Sequence, residues 1–414
     1  MEPAEKSDAL GRARAFARER QAEATEMLRE LAAIGAPTRH EQARAAWVRD
    51  WVLAQTGGEA DVAIDDATNV VWRIPAPVSA GATGPAPGPT PGPAPCPALD
   101  PTPDRAPAGA LVISAHTDVV FDDERHVVRE EGGRMYAPGV GDDTANLVVM
   151  LLVARDLWLS RSHLERDVIA VANSCEEGLG NLDGTKALYE READLVGEHV
   201  AFDVHLGEVV GLAVGSHRWR LGVSCAGGHS YFDFGAPNAI LELSRLIEGL
   251  YDLERGASTT VNVGRIEGGT TVNAIAASAS ALVEYRSTSE AELAAMRSGL
   301  ESLVEAATRP GVDVTLEEIG VRPGAAGVDE RAQRALVSRA LAAYRATCGE
   351  TVEPESASTD ANVPLSLGIP AICVGTVAGD GMHTRGEWVD LASLGRGLAL
   401  AHLLVWGEAR PATP

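Results

Sequence analysis

Two adjacent carboxylates, Glu176 and Glu177, close a stretch that runs from Asp167 through Val-Ile-Ala-Val-Ala-Asn-Ser-Cys and then meets Gly178. Its β-branched, apolar beginning reads as a buried strand, so the acids fall at the strand's mouth. Like charges there repel, and the pair needs a metal ion, a shared proton or solvent around it. Taken alone, the pair is equally well read as a solvated loop. Four further places in the chain change that balance. His116 and Asp118 follow the strand-like Leu111 to Ala115, and alternation puts residues two apart on one side, so His116 can ligate while Asp118 orients its ring. Asp142 and Asp143 end the run Gly139-Val-Gly-Asp-Asp ahead of a helix, Asp203 ends a short Ala-Phe-Asp strand, and His383 lies in the loop Gly381-Met-His-Thr384.

Each residue alone has an ordinary explanation, such as a loop histidine or a helix cap. Together, two histidines and three or four acids at strand ends make the mixed nitrogen and oxygen donor set that suits a pair of zinc-like ions. A carboxylate can bridge two ions with its two oxygens, and hydrolysis needs another carboxylate, free of metal, to move a proton. Glu176 and Glu177 can divide those tasks. Cys175 is a poor nucleophile, because a thiolate wants a cationic neighbour and this one precedes two acids. The five cysteines, Cys96, Cys175, Cys225, Cys348 and Cys373, are widely spaced, odd in number and without a Cys-x-x-Cys pair, which reads as free thiols.

The elements that must carry these residues follow from periodicity. Helical spacing runs from about residue 9 to 33 and, with Thr38 as its cap, from there to about 55; strands follow at 60–64, 69–74 and 110–115. Between the last two lies 75–109, which holds twelve of the chain's 23 prolines and reads as an extended or disordered surface insertion. Beyond it, a helix at 147–159 and strands at 168–173 and 200–204 alternate, which predicts an α/β domain with a mainly parallel sheet and helices on both faces. Ligands in such sheets gather beyond the carboxyl ends of strands. From 213 to 324 the pattern changes to strand, helix, two strands, helix and strand, an inserted α+β unit; 325–414 then returns to the first domain, whose opening part is 1–212.

Composition sets outer limits. A 414-residue chain is long for one core, and its formal charge of −24 argues against nucleic acid or anionic membrane as a partner. No apolar run is long enough to span a bilayer, and the first residues lack the basic start and apolar middle of a signal peptide, so a cytoplasmic location is expected.

With these residues in view, the chain resembles the M20 family of co-catalytic metallopeptidases and amidohydrolases, which includes peptidase T, glutamate carboxypeptidases, acetylornithine deacetylase and aminoacylase. The resemblance is carried, in order, by Ser-Ala-His116-Thr-Asp118, Gly-Val-Gly-Asp142-Asp143, Ser-Cys-Glu176-Glu177-Gly, Phe-Asp203 with Leu-Gly-Glu208, Gly-Gly-His229-Ser, Val-Asn273-Ala-Ile, and Ser-Thr-Asp-Ala-Asn through His383-Thr384. It implies a zinc-exopeptidase-like catalytic domain with an inserted lid and dimerisation domain, and two divalent ions per chain, zinc with cobalt or manganese as alternatives. His116, Asp142 and Asp203 would hold one ion; Asp142, Glu177 and His383 would hold the other, with Asp142 bridging. Glu176 would be the general base and acid on metal-bound water, with Asp118 behind His116. His229, in the neighbouring subunit of a homodimer, would stabilise the oxyanion, while Asn273 and Arg286 would grip substrate. The expected reaction is cleavage of an amide bond in a small peptide or N-acyl amino acid. Aminopeptidase, carboxypeptidase and deacylase all remain open, with Thr-Asp-Val and Leu-Gly-Glu leaning to the peptidase T side. The alternative outside enzymes is a metal-dependent binding or scaffold protein that keeps the fold. Two positions depart from the family pattern: Thr144, where a lysine or similar group is common, and Val204-His205, where glycine commonly follows the aspartate.

Overall fold

The computed structural model describes residues 3–77 and 109–409; most of the proline-rich insertion, at 78–108, lies outside the described residues. An eight-stranded sheet forms the centre, in the order Asp61–Ile64, Val70–Ile74, Val168–Asn173, Ala110–His116, Val196–Phe202, Ala371–Val374, Val209–Ala213, Glu355–Ala357. The four strands from Val168–Asn173 to Ala371–Val374 are mutually parallel, and antiparallel pairings flank them, so the parallel core sits inside a mixed sheet.

Alternation along the buried strands separates two helix layers. Leu111, Ile113, Ala115, Val168, Ala170 and Ala172 pack with Pro3–Ala32, Gln42–Gln55, Asn146–Leu159, Glu330–Cys348 and Leu394–Ala409. Val112, Ile169 and Val171 point the other way, onto Leu182, Leu188, Tyr189 and Val363. Both faces are thus covered, which is why these strands read as unbroken apolar runs.

The helix before the first strand begins at Gln42, after Glu41, with no side-chain cap. Thr38, expected as its cap, instead donates its hydroxyl to Asp118 Oδ2 at 2.9 Å. The strand expected over 200–204 runs Val196–Phe202 and stops there, because Val204 takes a positive φ of 61° and turns the chain away.

Residues 215–322 build the inserted unit. It is an antiparallel sheet ordered Thr260–Gly268, Ser278–Ser287, Gly215–Cys225, Val312–Arg322, covered by Ala239–Asp252 and Glu290–Ala307. Asn238 and Ser289 cap these helices through their side chains. The unit has its own core around Trp219, Leu221, Leu243, Leu250, Tyr285 and Leu300. Where the chain enters and leaves it, one side chain touches both passages: Asn362 Nδ2 donates to Val214 O at 2.9 Å and to Pro323 O at 2.8 Å.

A second small sheet, of Arg129–Glu131, Arg134–Tyr136, Trp388–Asp390 and Gly379–Asp380, has strands too short for periodicity to reveal. It sets the His383 loop beside the Asp142 loop. Among the described residues no helix is long and apolar enough to cross a membrane.

One buried group makes the fold's stability sensitive to acid. His199 lies fully buried between Ser114 Oγ, 2.7 Å from Nε2, and Tyr189 Oη, 2.9 Å from Nδ1, and burial lowers its pKa to about 3. The unfolded chain, with an ordinary imidazole near about 6.5, binds a proton that the folded chain refuses. Stability from this group is therefore complete above that value and falls as pH drops toward 3, by about 1.4 kcal/mol per pH unit at full slope. Urea titrations from pH 7 to 4 should show His199→Gln losing this part of the slope; an unchanged slope would refute the assignment.

Candidate metal and catalytic site

Beyond the carboxyl ends of the parallel strands, five ligand candidates converge. His116 ends the strand Ala110–His116, and its Nε2 lies 3.0 Å from Asp142 Oδ1. Asp142 turns its other oxygen, Oδ2, to His383 Nε2 at 3.1 Å, and His383 also lies 3.3 Å from Glu177 Oε2. One carboxylate therefore stands between two imidazoles with a different oxygen facing each. His116, Asp142 and Glu177 form one candidate ligand group, and His116, Asp143 and Asp203 form another. Asp143 was not anticipated as a donor. Its Oδ2 accepts the main-chain N–H of His116 at 2.8 Å, and its Oδ1 is buried without a partner among the described residues.

The electrostatics of this cluster are those of acids crowded together out of water. Burial raises the carboxyls of Asp203 and Asp143 well above their usual range, and the neighbouring Asp142 adds to both shifts. Burial likewise lifts Glu177 to about 7, reinforced by Asp142 and opposed by its hydrogen bond with His383. For Asp142 burial is outweighed by His116 and His383, which hold it well below the carboxylate range. Asp142 and Glu177 in turn push His383 up to about 10, while His116, despite burial, is raised well above its ordinary value by Asp143, Asp118 and Asp142. Burial and mutual repulsion thus work against negative charge on Asp143, Glu177 and Asp203, while the two histidines favour it on Asp142. Divalent ions fit this donor set better: nitrogen and oxygen ligands mixed, an orphaned carboxylate oxygen, and a bridging group.

Surrounding residues fix the donors. Asp118 is fully buried; its main-chain carbonyl meets His116 Nδ1 at 3.1 Å with Oδ1 at 3.4 Å, and its two carboxylate oxygens accept the main-chain N–H groups of Glu176 at 3.0 Å and Glu177 at 2.9 Å. It thereby orients the histidine and ties down the acid pair. Glu387 performs the same service for the Asp142 loop, accepting from the N–H groups of Gly139, Gly141 and Asp142 at 2.7 to 2.9 Å. Sequence reading missed Glu387, and Gly-Glu387-Trp carries no motif signal of its own. Asp360, within Ser-Thr-Asp-Ala-Asn, accepts from Asn173 Nδ2 and Thr185 Oγ1 beneath the site; burial and then Glu176 raise it to about 6.

Glu176 is buried and stands apart from both ligand groups. Its Oε1 pairs with Arg322 at 2.8 Å, a residue the sequence did not single out. Cys175 is also buried, and burial, with Glu41 adjacent, pushes its thiol up to about 12, which removes it as a nucleophile. Thr144 donates to Gly139 O inside the Asp142 loop and reaches no ligand. His205 belongs to neither ligand group; its N–H bonds Glu208 Oε2 at 2.8 Å.

The expected substrate-handling residues stand elsewhere. His229 is exposed, its Nδ1 accepting N–H groups of Tyr231 and Phe232 at 3.2 and 3.4 Å. It pairs with Ala274 in a two-stranded ribbon whose loop holds the exposed Asn273. Arg286, on the strand Ser278–Ser287, pairs with Glu284 at 3.1 Å. None of the three hydrogen-bonds the ligand cluster within one chain.

The family profile described as peptidase family M20/M25/M40 matches residues 112–406. No curated protein matches the sequence. Among solved structures, aminopeptidase PepT from Bacillus cereus is 20% identical and covers 94% of this chain and 99% of its own, with a TM-score of 0.68. A tripeptidase from Staphylococcus aureus is 18% identical, with 94% and 99% coverage and a TM-score of 0.70. A dinuclear metal-binding peptidase of the M20 family from Bacillus subtilis is 16% identical, with 95% and 99% coverage and a TM-score of 0.61.

Cations that neutralise this cluster should bind the folded chain and not the unfolded one, so they raise stability by about 2.7 kcal/mol at a hundredfold excess over Kd. Chelator-treated protein is expected to melt below the same protein in zinc, with the midpoint climbing as zinc is added. A midpoint indifferent to chelator and to zinc, cobalt and manganese would contradict the site.

Proposed function

The chain belongs to peptidase family M20/M25/M40 and is a metallohydrolase of amide bonds; on that footing we propose a dinuclear enzyme that cleaves a small peptide or an N-acyl amino acid. The observation that carries the dinuclear reading is Asp142, whose two oxygens face His116 and His383 separately. In this reading His116, Asp142 and Asp203 hold one ion, and Asp142, Glu177 and His383 hold the second. Zinc suits the donor set, with cobalt or manganese as substitutes. The ions supply a Lewis acid that polarises the scissile carbonyl and makes water a nucleophile at neutral pH.

The remaining steps fall to side chains. Glu176, outside both ligand groups, takes the proton from attacking water at its carboxylate and delivers it to the leaving amine nitrogen. Asp118 keeps the His116 ring in place while charge redistributes in front of it. Asn273 and Arg286 receive the substrate's carboxylate, for which a guanidinium is the natural partner. His229 donates to the developing oxyanion from the second subunit of a homodimer. Support for that dimer comes from the exposed aromatics around His229: Tyr231, Phe232 and Phe234 are at least 80% exposed, and Val272 beside Asn273 is fully so. Apolar side chains so exposed, on the loops that carry two proposed substrate-handling residues, suit contact with a second copy. Resemblance to an aminopeptidase and a tripeptidase favours short peptides over N-acyl amino acids.

Replacing Glu176 with Gln should lower kcat on the best di- or tripeptide by about 10²–10⁴-fold while two metal ions stay bound; near-normal turnover would discard the mechanism. Light scattering on the purified protein should give twice the chain mass, and monomer at all concentrations would remove the shared site.

A further inference from the structure

The residue paired with Glu176 is the last of the strand Val312–Arg322, so it belongs to the inserted unit rather than to the sheet that carries the ligands. Arg322 is only 5% exposed. Its Nη1 donates to Glu176 Oε1 at 2.8 Å and, more weakly, to Ser358 O and Oγ at 3.3 and 3.4 Å; its Nη2 donates to the main-chain carbonyl of Glu176. Glu176 is therefore held at three points: its N–H by Asp118, its carbonyl by Arg322, and one carboxylate oxygen by Arg322. The other oxygen, Oε2, has no hydrogen-bond partner among the described residues.

This arrangement leaves one oxygen for proton transfer and removes the rotational freedom of the other. A glutamate has three side-chain torsions, and a base that must reach water on one side and a leaving nitrogen on the other works only within a narrow range of them. Desolvation largely offsets the attraction in a buried ion pair, so the pair's main consequence is orientation rather than net stability. We propose that Arg322 is a positioning residue, which sets the Glu176 carboxylate for proton transfer from across the junction between the two units. Lys186 and Arg218 cross the same junction, but to main-chain carbonyls of Val321 and Gly178, so neither can substitute for it at the carboxylate.

The proposal rests on Glu176 being the base, and the experiment separates the two. Arg322→Gln in the zinc-loaded enzyme should lower kcat about 100-fold, the scale of a displaced catalytic group, with KM changed less than about threefold. Metal content should stay at the parent value, while the urea midpoint falls because buried Glu176 loses its partner, so kcat is compared at denaturant-free conditions where both proteins are folded; Arg322→Lys, which can still make one charged bond to Oε1, should recover about tenfold over Gln. In a Glu176→Asp background, whose shortened carboxylate is already out of place, Arg322→Gln should add less than about a threefold loss. Full kcat in Arg322→Gln, a loss matched by lost metal, or multiplicative losses in the double variant would each overturn the proposal. Normal turnover in Glu176→Gln would instead remove the base reading itself.

Discussion

Everything at this site answers to the cost of gathering carboxylates out of water. Asp142, Asp143, Glu177 and Asp203 are all buried at the mouths of neighbouring strands, with Glu176 and Asp118 close by. Isolated charges of one sign in such a place would be neutralised by protonation or by cations. Asp142 resolves the conflict locally by standing between His116 and His383, and its position dictates where both histidines, and the metals proposed for them, must be.

Holding that cluster takes a layer of carboxylates that bind main-chain amides instead of metal. Asp118 accepts from the two amides of the acid pair, and Glu387 accepts from three amides of the Asp142 loop. Both are themselves anchored by structure distant in sequence: Asp118 by the Thr38 hydroxyl from the N-terminal segment, Glu387 by a small sheet that joins residues 129–136 to 379–390. Such partners fix the direction of each ligand, which matters as much as its identity.

The two-unit build adds a second constraint. Strands of the central sheet deliver the ligands, yet the group paired with Glu176 arrives from the inserted unit, and Asn362 bonds both chain passages between the units. Orientation of the inserted unit and geometry of the Glu176 carboxylate are thereby physically linked. The same unit bears His229, Asn273 and Arg286 on its exposed ribbon and sheet, where their hydrogen bonds stay within the unit.

Much of this was legible in residue order. Unbroken apolar runs, followed by His116, Glu176 and Asp203, placed these side chains at strand ends, because burial on both faces forces continuous hydrophobicity up to the point where the chain meets solvent. The change of pattern at 213–324 marked the inserted unit for the same reason, since it has its own core. Tertiary structure alone decided the rest. Thr38 leaves a helix cap to serve Asp118, Asp143 turns an unpaired oxygen into the cluster, and Arg322 and Glu387 reach their partners across 146 and 245 residues or more. Local periodicity records which face of an element is buried, whereas hydrogen bonds of that span depend on how whole elements pack, and no spacing in the chain encodes them.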